Sequence, residues 1–371
     1  MNRILVIGNG FDRALNIKSG YNHFIDWYIK KCLIEAQQHR IDKPSLIIHT
    51  PLKGEVLNYI WQETNAKSIP EGWDDVVNYL KLNSKNSLKK ESNYIIQLKS
   101  GIIKKAINDI NVKGWADIEK IYYELLVGIL GNSGDNQISE LTRLNNELFE
   151  IKEQLQGYLF DEVKDIKAKK NRQGTPTHRI AFTEFEKENF IDKEWVKLGL
   201  SDNHNRPDKV CILNFNYTNL FKSHNDNVEI INIHGELKNE ASPIVFGYGD
   251  DLDENYQKIE KLSEDKWLEG FKSFDYLKTN EYKRLLNFMS KDSFEVFIVG
   301  HSCGLSDKTL LNLIFEYDDC QHIKVFHSKE LNNFDEIIFN ISRIMGNKLK
   351  FRQRVGTKDE TSEVRLMLGL I

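Results

Sequence analysis

The 371-residue chain lacks the long apolar segments of a membrane protein. No uninterrupted apolar run approaches the roughly 18 residues that a membrane-spanning helix needs. The apolar stretch that follows Arg3 ends at Gly8, and it is too short for the core of a secretory signal peptide. We therefore expect no membrane partner and a cytoplasmic location.

An excess of positive charge and paired cysteines are also missing. Lys and Arg number 51 against 55 Asp and Glu, so the net charge of −4 provides no bulk positive field, and nucleic acid is not expected as a partner. The four cysteines show neither a CxxC pair nor a zinc-finger spacing. We expect reduced thiols and no structural zinc.

Short apolar segments rich in Val and Ile cluster at the two ends of the chain. Most are apolar on both faces, which is typical of strands in a buried parallel sheet, and helical patterns separate several of them. The predicted strands cover 3–7, 210–213, 228–233, 243–246, 294–299 and 322–326. This pattern predicts an α/β fold with a Rossmann-like, mostly parallel sheet whose first strand is separated from the others by about 200 residues.

The long intervening segment has mainly helical periodicity. Leu141, Leu148 and Leu155 recur every seven residues, which favours a helical hairpin within one chain. A homo-oligomer formed through the same helices is the alternative. We predict a split nucleotide-binding domain over 1–20 and 207–345, a mainly helical insertion over 21–206, and a C-terminal tail over 346–371 with no assigned packing.

The first predicted strand ends in a Gly-Asn-Gly turn. Such a turn before a helix brings backbone N–H groups close to a phosphate, and Gly8 and Gly10 fit this use. The third glycine of the dinucleotide fingerprint is missing, so a tight turn with no ligand is equally consistent with the pattern. Asp12 would repel a phosphate unless a cation or a ribose hydroxyl lay between them, and it could instead cap the helix.

Polar, glycine-containing segments follow the other predicted strands. Ligands of parallel α/β sheets bind beyond the carboxyl ends of the strands, so these segments should line one edge together. The alternative is that Asn and Gly simply dominate short turns. The segments are Asn214 to Thr218, His234 and Gly235, Gly247 to Asp250, and Gly300 to Gly304.

Two residues of these segments suit catalysis. His234 can act as a general base or acid near neutral pH, although buried histidines also serve as packing residues. The amide of Asn216 can orient a water molecule or a carboxamide. His301 could contact phosphate or ribose, or could pack at a helix start.

With these residues collected, the chain resembles the AbiH-type family of bacteriophage abortive-infection proteins. The resemblance rests on the order and spacing of seven short motifs. They are "VIGNGFD", "GYNHF", "GWADIE", "NFNYTNL", "NIHGEL", "VFGYGD" and "FIVGHSCGLSDKTLL".

The motif order is also similar, more distantly, to sirtuin-like NAD-consuming domains. That resemblance implies that Asn216 and His234 are catalytic and that NAD, as substrate or ligand, is cleaved between nicotinamide and ribose. The glycine turn would hold the phosphates, and the late Gly-x-Ser turn would lie beside the adenosine ribose. The expected nucleotide-binding residues are Gly8, Asn9, Gly10, Phe11, Asp12, Asn214, Thr218, Gly235, Gly247, Gly300, His301 and Ser302.

The chain departs from the sirtuin-like pattern in three places. It has Asp12 where a small or hydroxyl residue commonly follows the glycine turn, and Thr218 where an acid commonly follows the catalytic asparagine. It also lacks the zinc cysteines of deacetylating sirtuins, which argues against acyl-lysine substrates. The resemblance therefore implies a hydrolase of free NAD or of a related nucleotide.

Three alternatives remain open. The first is a nucleotide-binding sensor of phage infection that has lost catalysis. The second is a metal-dependent nuclease or phosphohydrolase that uses Asp12, Asp250 and Asp253, since carboxylates bind Mg²⁺ well. The third is a structural interaction protein, which would leave the polar strand ends without a purpose.

Overall fold

A computed structural model describes the chain over 1–14, 16–42, 47–49, 57–61, 88–90, 94–98, 100–132, 135–172, 207–221, 226–328, 333–358 and 362–364. Contacts divide the chain into two units. The first contains Met1–Ser19, Leu159–Asp253 and Phe271–Ile371, and the second contains Gly20–Tyr158 and Glu254–Gly270. Residues 173–206 of the predicted insertion lie outside the described ranges.

The described ranges contain ten strands. They are β1 (Asn2–Ile7), β2 (Ile47–His49), β3 (Leu57–Trp61), β4 (Leu88–Lys90), β5 (Tyr94–Leu98), β6 (Val210–Asn214), β7 (Val228–Asn232), β8 (Phe294–Val299), β9 (Cys320–Ser328) and β10 (Ser362–Val364).

The same ranges contain eleven α-helices. They are α1 (Asn9–Ala14), α2 (Tyr21–Asp42), α3 (Gly101–Lys113), α4 (Ile118–Leu130), α5 (Gln137–Arg172), α6 (Glu254–Glu260), α7 (Lys272–Asp275), α8 (Glu281–Met289), α9 (Lys308–Glu316), α10 (Phe334–Ile344) and α11 (Lys348–Arg354).

The sheet of the first unit is parallel throughout. Its strand order is β10-β9-β8-β1-β6-β7, and every pair in it runs parallel. Read from the β7 edge in chain order, this is the 3-2-1-4-5-6 arrangement of a doubly wound Rossmann-like fold. The predicted α/β class with a mostly parallel sheet is therefore confirmed.

Alternating side chains of β1 enter two separate cores. Ile4 and Val6 join the core formed with helices α8, α9 and α10, whereas Leu5 and Ile7 join a smaller core on the opposite face. All four side chains are buried. This double burial explains why the strand sequence is continuously apolar, and truncating one of these side chains to alanine would cost about 2–5 kcal/mol.

The predicted strand over 243–246 is wrong. Within the described residues this segment belongs to no strand. It bonds to the region after β7 through the Val245 N–H, which donates to the His234 carbonyl at 2.9 Å. Ile244, Val245 and Phe246 are nevertheless buried. A short apolar run signals burial, and it does not distinguish a core strand from a buried loop.

The second unit combines helices with a small antiparallel sheet. The sheet order is β2-β3-β5-β4, and no sequence pattern predicted these strands. The heptad residues Leu141, Leu148 and Leu155 lie on α5 and are buried within the unit. Association of copies through this helix remains a prediction.

Short polar contacts fix helix starts in the second unit. Asp117 accepts a bond from the Lys120 N–H, 3.0 Å long, and so caps α4. Ser100 caps α3 through the Ile103 N–H, and the Glu147 carboxylate accepts from the Ile102 N–H at 2.7 Å. These side chains satisfy N–H groups that a helix start leaves without partners.

The tail over 346–371, which had no assigned packing, contributes two elements to the first unit. Helix α11 is capped by Asn347, whose side chain accepts from the N–H groups of Leu349 and Lys350. Strand β10 pairs in parallel with β9 and forms an edge of the sheet.

Candidate functional site

The carboxyl ends of the central strands are in register. Ile7, the last residue of β1, pairs with Asn214 of β6 and with Val299 of β8, and Asn214 in turn pairs with Asn232 of β7. The segments that follow these strands therefore begin at the same edge of the sheet. Ligand sites of parallel α/β sheets occur at this edge.

The backbone of the glycine turn is hydrogen-bonded within the fold. Gly8 N–H donates to the Val299 carbonyl at 3.2 Å, Gly10 N–H donates to the Gly300 carbonyl at 2.8 Å, and Phe11 N–H donates to the Gly8 carbonyl at 2.9 Å. These three donors are therefore already used. A phosphate bound at this turn would need other donors.

The turn after β1 and the turn after β8 touch each other. A Cβ atom on Gly10 would lie 2.8 Å from the Cα atom of Gly300, and one on Gly8 would lie 2.5 Å from the Cα atom of His301. Gly300 has a φ of 67°, a region in which side chains other than glycine are strained. The glycines thus have a packing role that stands apart from any ligand.

Asp12 is buried beside two polar residues that follow β6. Thr218 Oγ1 donates to one carboxyl oxygen of Asp12 at 2.6 Å, and Asn216 Nδ2 donates to the other at 3.0 Å. Desolvation raises the pKa of Asp12 to about 7, although both hydrogen bonds favour the ionised form. Asp12 lies within α1 and does not cap it, so the alternative role as a helix cap is wrong.

The amide of Asn216 has a fixed orientation. Its nitrogen donates both to Asp12 and to the Gly8 carbonyl, the latter at 3.1 Å. Both partners are acceptors, so the nitrogen must face them and the amide oxygen must point elsewhere. Among the described residues none donates to that oxygen, which is therefore suited to accept a bond from a ligand or a water molecule.

Asn214 holds this loop to the sheet. Its Nδ2 donates to Asn232 Oδ1 at 2.9 Å, and its Oδ1 accepts from the Asn216 N–H at 3.1 Å. Asn214 is fully buried, and its bonds connect the ends of β6 and β7. Asn214 therefore has a structural role, which is to hold the loop that carries Asn216.

His234 follows β7 and is enclosed by aromatic rings. Its ring lies near those of Tyr217 and Tyr276, with centroids 5.9 and 6.3 Å away and ring planes close to parallel, and it meets the edge of Phe215 at 5.0 Å. Burial lowers the pKa of His234, and the positive charge of Lys272 lowers it further. The imidazole is therefore held in its neutral form at neutral pH.

An acidic residue that the sequence analysis did not select lies against His234. Asp307 Oδ1 is 3.2 Å from His234 Nε2 and accepts a bond of 2.6 Å from the ammonium of Lys272, which is itself fully buried. Burial opposes ionisation of Asp307, but Lys272 and the neighbouring histidines hold its pKa well below its usual range. The pair is a buried carboxylate matched with a buried ammonium.

His301 lies on the other side of the same carboxylate. Its Nε2 is 3.6 Å from Asp307 Oδ2, which exceeds hydrogen-bond length, and its Nδ1 accepts from the Cys303 N–H at 3.0 Å. The His301 ring also contacts Phe215 edge-on at 4.4 Å. We call Asp12, Asn216, Thr218, His234, Lys272, His301 and Asp307 the strand-end cluster.

The remaining predicted residues have other surroundings. Asn9 is exposed at the start of α1 and bonds to Ser19. Ser302 is exposed, and its carbonyl accepts from Asn340. Gly247 is buried in the loop before Asp250. Gly235 has a φ of 74°, which only glycine adopts easily.

The acids proposed for a metal site are not assembled. Asp250 bonds to the Lys308 ammonium at 2.8 Å, and Asp12 bonds to the groups described above. In the described part of the chain no three His, Cys, Asp or Glu side chains are grouped to hold a metal ion. The arrangement therefore gives no support to the metal-dependent alternative.

Asp307 and Lys272 were both missed from the sequence. Asp307 lies in the motif "FIVGHSCGLSDKTLL", where an acid after a late glycine turn was the available signal. Lys272 lies in the segment "GFKSF", which carries no such signal, and only the fold places it beside Asp307.

A comparison with known protein families shows which family the chain belongs to. A family model described as bacteriophage abortive infection AbiH matches residues 4–328. The chain belongs to the AbiH family. Neither a curated protein nor a solved structure matches this AbiH chain, and its similarity to sirtuin-like domains remains a prediction. Over the described ranges, each helix of the AbiH chain is too short or too polar to cross a membrane.

Proposed function

We propose that this AbiH chain is an abortive-infection effector that binds NAD at the strand-end cluster and hydrolyses the bond between nicotinamide and ribose. The observation that carries the proposal is the pair of Asn216 and His234. Both are almost fully buried, and they lie just beyond the ends of the adjacent parallel strands β6 and β7. Such polar groups are costly to bury, and they suit the chemistry of a site.

The proposed reaction needs one acceptor and one base. Water forms a bond to the anomeric carbon of ribose, the bond from that carbon to nicotinamide breaks, and the electron pair leaves with the nicotinamide nitrogen. His234 accepts the proton that water loses, because burial keeps its imidazole neutral. The Asn216 oxygen accepts a bond from the water or from the nicotinamide carboxamide.

The contact between Asp12 and Thr218 joins two positions at which the chain departs from the sirtuin-like pattern. In the sirtuin-like pattern a small or hydroxyl residue commonly follows the glycine turn, and an acid commonly follows the catalytic asparagine. Here Asp12 and Thr218 stand at these two positions, and they bond to each other at 2.6 Å. Because burial raises the pKa of Asp12 to about 7, a protonated fraction exists at neutral pH and lessens the repulsion of a phosphate.

A paired titration tests the proposal. Purified wild type, His234→Ala and Asn216→Ala are titrated with NAD, and the heat of binding and the released nicotinamide are followed in the same sample. We expect wild type to bind and release nicotinamide, with release reduced at least about 100-fold in His234→Ala, since general-base catalysis contributes 10²–10⁴-fold. His322→Ala is the matched control. His322 lies near the amino end of β9, away from the carboxyl ends of the strands where His234 lies.

The other outcomes separate the remaining functions. Binding by wild type with no release, even after addition of an extract from infected cells, would identify a nucleotide sensor. Equal release by wild type and His234→Ala would show that His234 is not the base. Neither binding nor release would remove NAD from the account.

A further inference from the structure

We propose that Asp307 and Lys272 form a positioning pair that fixes the proton of His234 on Nε2 and leaves Nδ1 as the nitrogen that accepts a proton from water. The catalytic meaning of this pair rests on the proposed function. The geometry of the pair does not depend on the proposed function, and an NMR titration detects the position of the proton without any turnover.

The proton position follows from the donors and acceptors. Lys272 donates to Asp307 Oδ1 at 2.6 Å, and His234 Nε2 lies 3.2 Å from the same oxygen. A carboxylate can only accept, so the His234 nitrogen that faces it must carry the hydrogen. A neutral imidazole has one N–H, and therefore Nδ1 keeps its lone pair. No described residue bonds to Nδ1.

Lys272 is needed to keep the carboxylate ionised. Its side chain is 0 % exposed, and its ammonium is the cation bonded to Asp307. Without this charge, burial would favour a protonated Asp307, which could donate to Nε2 and reverse the tautomer of His234. The same positive charge also lowers the pKa of His234, so it opposes a second proton on the ring.

The fold positions both members of the pair through one loop. The Lys272 N–H donates to the Tyr248 carbonyl at 3.0 Å. A Cβ atom on Gly249 would lie 2.7 Å from the Ser306 carbonyl, so the loop packs directly against the turn that carries Asp307. The motif "VFGYGD" thus has a physical role, which is to hold the residues behind His234.

Other ionisable groups face His234 from the elements packed around it. Tyr276 Oη is 3.3 Å from Nε2, and Tyr217 stacks on the ring. His301 approaches the same carboxylate from the turn after β8. Next to these groups, Asp307 and Lys272 carry opposite charges in direct contact.

The test is a nitrogen-15 NMR titration of the histidine side chains in the full chain. The His234 signals are assigned by comparison with His234→Gln. We expect wild-type His234 to show a protonated Nε2 and an unprotonated Nδ1. A proton on Nδ1 in the wild type would overturn the proposal, and this result needs no variant to be interpreted.

Two variants of the pair should shift the titration in opposite directions. Lys272→Met removes a cation, so the pH at which the coupled His234 and Asp307 side chains take up a proton, followed at His234, should rise by about 1–3 units. Asp307→Asn removes an anion, so the pKa of His234 should fall. Loss of stability alone would not produce shifts of opposite sign. Shifts in the same direction, or none, would contradict the pair.

A matched control removes a different buried ion pair. Arg3 and Glu295 bond at 2.6 Å near the amino ends of β1 and β8, at the opposite edge of the sheet. Glu295→Gln should therefore leave the His234 titration unchanged, and a shift there would show that the readout follows general destabilisation. If Lys272→Met does not fold, the tautomer of His234 in the wild type still tests the proposal.

The two proposals can fail separately. Correct proton positions and opposite shifts, without release of nicotinamide, would support the positioning pair and refute NAD hydrolysis. Release of nicotinamide by a wild type whose His234 carries its proton on Nδ1 would refute the pair alone.

Discussion

Asp12→Asn should stabilise the protein at neutral and alkaline pH and change its stability little in acid. The carboxyl group is 2 % exposed, and desolvation raises its pKa from 3.8 to about 7. At about 1.4 kcal/mol per pH unit, this difference corresponds to about 4 kcal/mol of unfolding free energy. The introduced amide can accept from Asn216 and donate to Thr218, so it preserves the packing.

The sign follows from proton binding. An acid with a raised pKa holds its proton more tightly in the folded state, so its contribution to stability is fully present below the unfolded pKa of 3.8. As the pH rises toward about 7 the unfolded state ionises first, and the free energy of unfolding falls. Asparagine cannot ionise and escapes this loss.

The assay is urea unfolding of wild type and Asp12→Asn at a series of pH values. The difference in unfolding free energy should widen by about 4 kcal/mol between acid and alkaline pH, with most of the change below pH 7. Asp226→Asn, at an exposed site, should show no such trend. A constant difference between wild type and Asp12→Asn would refute the interpretation of Asp12.

Two further substitutions test the packing of the two units. Gly235→Ala places a Cβ atom 2.2 Å from the Pro243 carbonyl oxygen at a φ of 74°. Thermal unfolding should therefore show that the free energy of unfolding falls by at least about 2 kcal/mol. An unchanged stability would contradict this. Asn145→Ala leaves the Tyr122 hydroxyl, bonded to it at 2.8 Å, without its acceptor, and urea unfolding should show a loss of about 1–3 kcal/mol. The exposed Asn146→Ala is its control, and equal effects would refute a role for the buried bond.

Much of the parallel sheet could be predicted from the sequence, because strands buried on both faces are visible as apolar runs. The strands at 3–7 and 294–299 lie where their Val and Ile residues indicated. The strand predicted over 243–246 was wrong, since the apolar residues of this segment are buried in a loop. The antiparallel strands β2 to β5 were not predicted, because their short apolar runs lie in a segment that was interpreted as mainly helical.

The site was predictable only in part. Asn216 and His234 were visible because each follows a strand-like run, and the fold places both at one edge of the sheet. The partners of these residues were not visible. Asp307 lies 73 positions after His234, and Lys272 lies 35 positions before Asp307, so only the fold brings the three together. The hydrogen bonds from the N–H groups of the glycine turn to backbone carbonyls were also visible only in the structure.

The most direct test of the central claim is the NAD content of phage-infected bacteria that carry wild type or the His234→Ala variant at equal protein levels. The account predicts that NAD falls and nicotinamide accumulates after infection with wild type, and that neither happens with His234→Ala. Growth arrest by wild type at a constant NAD level would contradict it.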